Sequence, residues 1–206
     1  MNPTTDLLYD DQNRARCWWC GDDQEYRRYH DQEWGTPVKD DHRLFEKICL
    51  EGFQCGLSWL TILRRRTAFR KAFADFDCET VGRFSAADVN RLTKDESIIR
   101  HRGKINATIH NAGKAIEMRS SEGSLAAFFW QFEPSRSRPP RRRQDIAAVT
   151  GESTQMSREL KRRGWKFVGP TTCYAFMQSM GIVNDHLVGC GDRERIERLR
   201  DRFQRP

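Results

Sequence analysis

His186 and Cys190 stand four positions apart in "VNDHLVGC", while Cys17, Cys20 and His30 cluster far upstream in "ARCWWCGDDQEYRRYHDQEWG". Imidazole and thiolate are zinc ligands, and a structural zinc takes four of them in a tetrahedron. A His-x3-Cys pair supplies two from one turn; the distant cluster must supply the others. Two sets are open: Cys17, His30, His186 and Cys190, or the same set with Cys20 replacing His30. Local spacing slightly favours the second, because it completes a Cys-x2-Cys half-site. Four protein ligands leave no position for a catalytic water, so Zn2+ here would be structural and would close a very long loop. The bland alternative is a set of hydrogen-bonded imidazoles and small apolar cysteines. A metal-dependent phosphohydrolase built on His30, Asp31, Asp185 and His186 is a third possibility, but it needs further ligands and open positions and leaves Cys17 and Cys190 idle.

Glu51 is the other conspicuous group. It lies in "ICLEGFQCGLSW", an apolar segment where a charge is costly unless it has a partner or faces water at a helix end. The formal charge is +7, from 36 Lys and Arg against 29 Asp and Glu, with basic runs at 64–66 and 138–143. A polyanion is the natural partner for such a surface, although a solvated basic face would look the same. Seven cysteines without a regular framework suit a reducing compartment. The first residues lack the apolar core of a secretory signal, and the longest apolar run, "LAAFFW", is too short to span a bilayer. A soluble cytoplasmic protein without membrane association is expected.

The elements that must position these groups read as helices. Ile105, Ile109, Ala112 and Ile116 form one helical stripe, and Leu125, Phe128, Phe129 and Phe132 another. Ser58, Ser85 with Asp88 three positions on, and Pro170 are start signals, and Gly181 is a stop. Roughly eight helices are predicted. Residues 1–15 read as a flexible tail, 16–192 as one all-α domain of two lobes, and 193–206 as a charged amphipathic helix. Within the domain, 133–150 reads as an exposed basic connector, since paired prolines and repeated arginines break the helical pattern. A monomer is the default.

Four segments, "YHDQEWG" (29–35), "LEGFQCGLSW" (50–59), "IIRHRGKI" (98–105) and "GWKFVGPTTCYAFMQSMGIVNDHLVGC" (164–190), together resemble the bacterial 3-methyladenine DNA glycosylase I family. The likeness runs from about Cys17 to Cys190, and the connector is its weakest part. It implies a helix-hairpin-helix glycosylase fold, a structural zinc held by two Cys and two His, and alkylated double-stranded DNA as partner. The reaction it implies is hydrolysis of the N-glycosidic bond of 3-methyladenine, releasing that base and leaving an abasic site. It also selects Cys17, His30, His186 and Cys190 as ligands and makes Cys20 incidental. Glu51 becomes the base-recognition carboxylate, Tyr29 and Trp59 the stacking residues, and Trp34 and Tyr26 further pocket aromatics. Such rings attract a cationic purine; ordinary core packing would use the same residue types. The turn "KFVGP" resembles the family's hairpin, so Lys166, Val168 and Gly169 are expected to meet a phosphate at a helix start, with Arg102 and Lys104 as second backbone contacts. Asp185 stays outside the catalytic set, with a supporting role beside the metal. A zinc-stabilised DNA-binding module without enzymatic activity is the alternative, and loss of Glu51 would leave such a module unaffected.

Overall fold

A computed structural model describes residues 6–135 and 138–206. The first five residues of the expected tail and positions 136 and 137 of the connector lie outside the described residues. Among the described residues eleven α-helices dominate: α1 (Gln24–Gln32), α2 (Asp41–Gln54), α3 (Trp59–Leu63), α4 (Arg66–Ala72), α5 (Cys78–Val81), α6 (Ala86–Leu92), α7 (Arg102–Glu122), α8 (Leu125–Trp130), α9 (Gly151–Arg162), α10 (Pro170–Ser179) and α11 (Arg193–Arg202). The number exceeds the predicted eight because helices as short as α5 hold barely one turn, too little for a periodic signal.

The start signals act as expected. The Ser58 side chain accepts the Thr61 N–H, Ser85 and Asp88 form a capping box, and Pro170 opens α10 behind Gly169. Gly181 follows α10 at φ 73°, and a Cβ there would lie 2.5 Å from Pro37 N and 2.6 Å from Gly35 O. Only glycine permits that approach, which seats the end of α10 against the loop after α1.

Two strands, β1 (Leu7–Tyr9) and β2 (Ala15–Cys17), form an antiparallel hairpin with Leu7 opposite Cys17. This corrects the flexible tail predicted for 1–15 over its described residues from Leu7 onward. Three-residue strands carry no readable alternation, and their turn is held by the Asp10 carboxylate, which accepts N–H groups of Gln12 and Arg14 at 3.0 and 2.9 Å.

Helix α2 is the axis of the core. It is buried from Leu44 to Phe53 and packs on α3, α7, α8 and α10. Its Asp41 carboxylate accepts the Leu125 and Ala126 N–H groups, each at 2.9 Å, and so satisfies the start of α8. One apolar cluster runs from Tyr29 to Val183, so segments on both sides of the connector bury each other's faces. A small second cluster holds Cys17, Leu187 and Cys190. Because α2 is enclosed, its charged residues Glu46, Lys47 and Glu51 need internal partners.

Candidate active site and metal clasp

Cys17 ends β2, His30 lies in the last turn of α1, and His186 and Cys190 occupy the loop before α11. Their ligand atoms lie within 4.8 Å of one another and all four residues are buried. Cys190 Sγ is 3.4 Å from His186 Nδ1 and 3.6 Å from His30 Nε2, and Cys17 Sγ is 3.9 Å from His186 Nδ1. Tetrahedral zinc with thiolate and imidazole ligands places such atoms roughly 3.3–3.8 Å apart. The outer nitrogens support the same assignment. His30 Nδ1 lies 2.8 Å from Asp31 Oδ1, and His186 Nε2 lies 3.1 Å from the Trp34 carbonyl. Each ring can thus donate outward and keep its inward lone pair for a metal. Asp31 is held by Arg16 Nε at 2.9 and 3.0 Å. The donor set fits a structural zinc joining the two distant segments.

Cys20 is outside this set: its thiol donates to the Cys17 carbonyl at 3.2 Å. The Cys-x2-Cys alternative therefore fails, because the turn after β2 directs the second thiol backwards. Asp185 is not in the cluster either. Its carboxylate accepts Tyr174 OH at 2.6 Å and Gln178 Nε2 at 2.8 Å, so the carboxylate supporting a ligand is Asp31. The phosphohydrolase set is not assembled, since Asp185 faces α10 while both histidines face thiols.

Beside the clasp lies a cavity of about 210 Å³ lined by Trp18, Trp19, Tyr26, Tyr29, Trp34, Glu51, Gln54, Trp59, Ile146, Ala175 and Gln178. Trp19 meets Tyr26 at a 5.0 Å centroid distance and Trp34 at 4.9 Å, and Tyr29 meets Trp59 at 5.5 Å. All five predicted residues, Glu51 and the four aromatics, are brought together. Trp18, Trp19, Gln54, Gln178 and Ile146 were missed; the tryptophans stand in "CWWC", inside the segment that offers the upstream ligands, whereas Ile146 arrives from the connector with no local signal. A larger cleft of about 670 Å³, lined by Pro139, Gly189, Arg193 and Glu197 among others, carries no aromatic side chain. Chemistry favours the smaller cavity, because a nucleobase needs stacking surfaces and a few polar groups.

Glu51 lies in the last turn of α2, buried, with Oε1 3.1 Å from Lys47 Nζ. Burial pushes its carboxyl above the usual range, and Lys47 opposes that. Lys47 Nζ also donates to Tyr29 OH at 2.7 Å and stands 3.4 Å from the Trp59 ring centroid.

The predicted phosphate contacts separate into two groups. Lys166 and Arg102 are exposed, and Gly169 caps α10, with no acceptor for the N–H groups of Val168 or Gly169 among the described residues. Between them, Phe167 adopts a positive φ of 56° with its ring exposed, 6.3 Å from that of His101. Lys104 is different. Its buried ammonium donates to the carbonyls of Phe53 and Cys55 at 2.9 and 2.6 Å. The open C-terminal end of α2 captures it, which corrects the predicted phosphate contact.

The scaffold and site define a predominantly helical class in which a buried Cys2His2 clasp stands beside an aromatic, carboxylate-bearing cavity. Residues 19–194 match the family model for methyladenine glycosylase. The chain is 46% identical over 177 residues to DNA-3-methyladenine glycosylase 1 of Escherichia coli (strain K12), covering 85% of this chain and 95% of that protein. A crystal structure of 3-methyladenine DNA glycosylase I superposes with a TM-score of 0.83 at 44% identity, over 85% of this chain and 98% of the other. The Staphylococcus aureus 3-methyladenine DNA glycosylase I, solved to show the structural basis of 3-methyladenine recognition, gives 0.80 at 34%, over 84% and 93%. The chain belongs to the methyladenine glycosylase family.

Proposed function

We propose that the protein is a monofunctional DNA glycosylase that releases 3-methyladenine from alkylated double-stranded DNA and leaves an abasic site. The observation that carries this reading is the cavity itself, where one buried carboxylate stands among aromatic rings. An N3-methylated adenine in DNA is cationic, so aromatic faces and Glu51 bind it better than they bind adenine. It departs as a neutral base, and the residues need only take up the extruded nucleotide, orient it and exclude other bases. Tyr29 and Trp59 supply stacking, Tyr26 and Trp34 complete the wall, and Glu51 accepts from the base edge. Zinc bound by Cys17, His30, His186 and Cys190 would hold the cavity wall in place and take no part in bond cleavage.

The face that meets DNA on this reading is the α9–α10 turn with Lys166, Val168 and Gly169, joined by Arg102. Gly52, the neighbour of Glu51, packs against Phe167, so this turn sits against the end of α2 that carries Glu51. The connector arginines 141–143 form a second part of that face, since Ile146 lines the cavity and Arg143 lies over the Trp18 ring at 5.5 Å. One chain carries every part, working in the cytoplasm on nucleoid DNA; none of the described helices is long and apolar enough to cross a membrane.

Incubation with methylated duplex DNA, followed by chromatography of released bases, tests the reading. Free 3-methyladenine from the wild type and at least a tenfold lower rate from Glu51→Gln are expected, about 1.4 kcal/mol or more of lost transition-state binding. No release by folded, zinc-loaded protein would point instead to a DNA-binding module.

A further inference from the structure

Among the described residues, Lys47 is the one ammonium in contact with the proposed base-recognition group. It projects from α2 one turn before Glu51, on the side of Tyr29 and Trp59 away from the cavity, in a small recess shared with Glu33, Arg43, Glu46, Arg66 and Arg70. Three contacts fix the ammonium: Glu51 Oε1 at 3.1 Å, Tyr29 OH at 2.7 Å and the face of Trp59 at 3.4 Å. All three partners line the cavity that Lys47 itself does not line. Among the described residues Glu51 Oε2 has no hydrogen-bond partner.

We infer that Lys47 is a positioning residue, which keeps the buried Glu51 ionised and pins Oε1 so that the other oxygen is free for the base, a role that rests on the reading of Glu51 as the base-recognition carboxylate.

The surrounding charges leave this task to Lys47. Glu33, just after α1, is paired with Arg66 of α4 through contacts of 2.5 and 2.9 Å. Arg70 of α4 is paired with Glu46 of α2 at 2.8 and 3.1 Å. Arg43 of α2 lines the recess, and the hydroxyls of Tyr26 and Tyr29 are kept neutral by burial. From the end of α10 and the residue after it come Ser179 and Met180, neither of which titrates, and from α10 Gln178, whose amide is committed to Asp185. Burial draws the Lys47 ammonium down to about 8 and pushes Glu51 up, and their mutual attraction opposes both. Removing the lysine leaves burial unopposed, so Glu51 takes up a proton at higher pH. A protonated carboxyl is a weaker acceptor and no longer attracts a cationic purine. Loss of Lys47 therefore moves the acid limb of base release upward.

The test uses full-length, zinc-loaded protein with 13C-labelled glutamate. The Glu51 carboxyl signal, assigned by its loss in Glu51→Gln, is titrated in the wild type, Lys47→Met, Lys47→Gln and Lys47→Arg. A rise of about one pH unit or more in the Met and Gln variants, reversed in the Arg variant, is expected. The acid limb of kcat/KM for 3-methyladenine release should move with it. Purely structural damage would lower the rate at every pH without moving the titration. Lys47→Gln carries the test if the Met variant does not fold. Unchanged Glu51 titration in both neutral variants overturns the inference, whatever their activity. Wild-type protein that releases no base, with the carboxyl shift still present, would overturn the glycosylase reading instead.

Discussion

Two buried lysines use the same ammonium for different ends. Lys47 faces a carboxylate and two rings, whereas Lys104 faces only backbone, closing α2 by donating to the carbonyls of Phe53 and Cys55. Lys104→Met leaves those carbonyls without their donor, and the cost of unsatisfied buried groups is about 1–3 kcal/mol. Chemical denaturation should show a loss of that size. The salt dependence of DNA binding should stay at its wild-type slope, because this ammonium neutralises no phosphate. A reduced slope would restore Lys104 to the DNA-binding face. The charge of Lys104 alone suggested phosphate; its depth in the core decided otherwise. Spacing alone leaned towards Cys20 over His30, and the structure reverses it, since the outcome depends on where the turn after β2 directs a thiol.

At the scale of elements, the connector keeps part of its sequence reading and departs from another part. It remains exposed and basic along 141–143, but it is stitched down: the Arg143 N–H donates to Asp6 Oδ2 at 2.8 Å, and the Val188 N–H donates to the Pro140 carbonyl at 2.8 Å. Replacing Arg141, Arg142 and Arg143 by alanine keeps these backbone bonds and removes the charges. The expected result is weaker DNA binding with a salt slope shallower by about 0.9 for each phosphate no longer neutralised, and little change in thermal stability. An unaltered slope would make the run a solvated surface. The helical elements were legible because their signals are local: the caps at Ser58 and Ser85, proline at the head of α10 and glycine beyond its end. Ile146 in the cavity was not, since its neighbours there lie far away in the chain, and neither was the strand Leu7–Tyr9, which is too short to show alternation. The aromatic and carboxylate members of the cavity became legible only through the family resemblance, which supplies the tertiary relations that spacing lacks.

Across the whole molecule, the clasp links β2 and α1 to the loop before α11, and Ile196 of α11 and the His186 ring then pack around Gly35. Metal analysis should give one zinc per chain. Cys190→Ser, or treatment with a strong chelator, should release it and lower the melting temperature by on the order of 10 °C, given the several kcal/mol that a structural zinc contributes. Wild-type stability after complete metal removal would show that the four ligands pack without needing the ion. The span of the clasp also sets an order of events in the cell. Cys17 and His186 are 169 positions apart, so at ribosomal speed the first thiol waits roughly ten to thirty seconds for its partners. During that interval Cys17 and His30 form only half a site, open to oxidants and to softer competing ions, and zinc can be captured for good only after the core-forming helices between them have been synthesised. Metal loading is thus a late step in biogenesis, and the nascent chain is most vulnerable to redox stress before it.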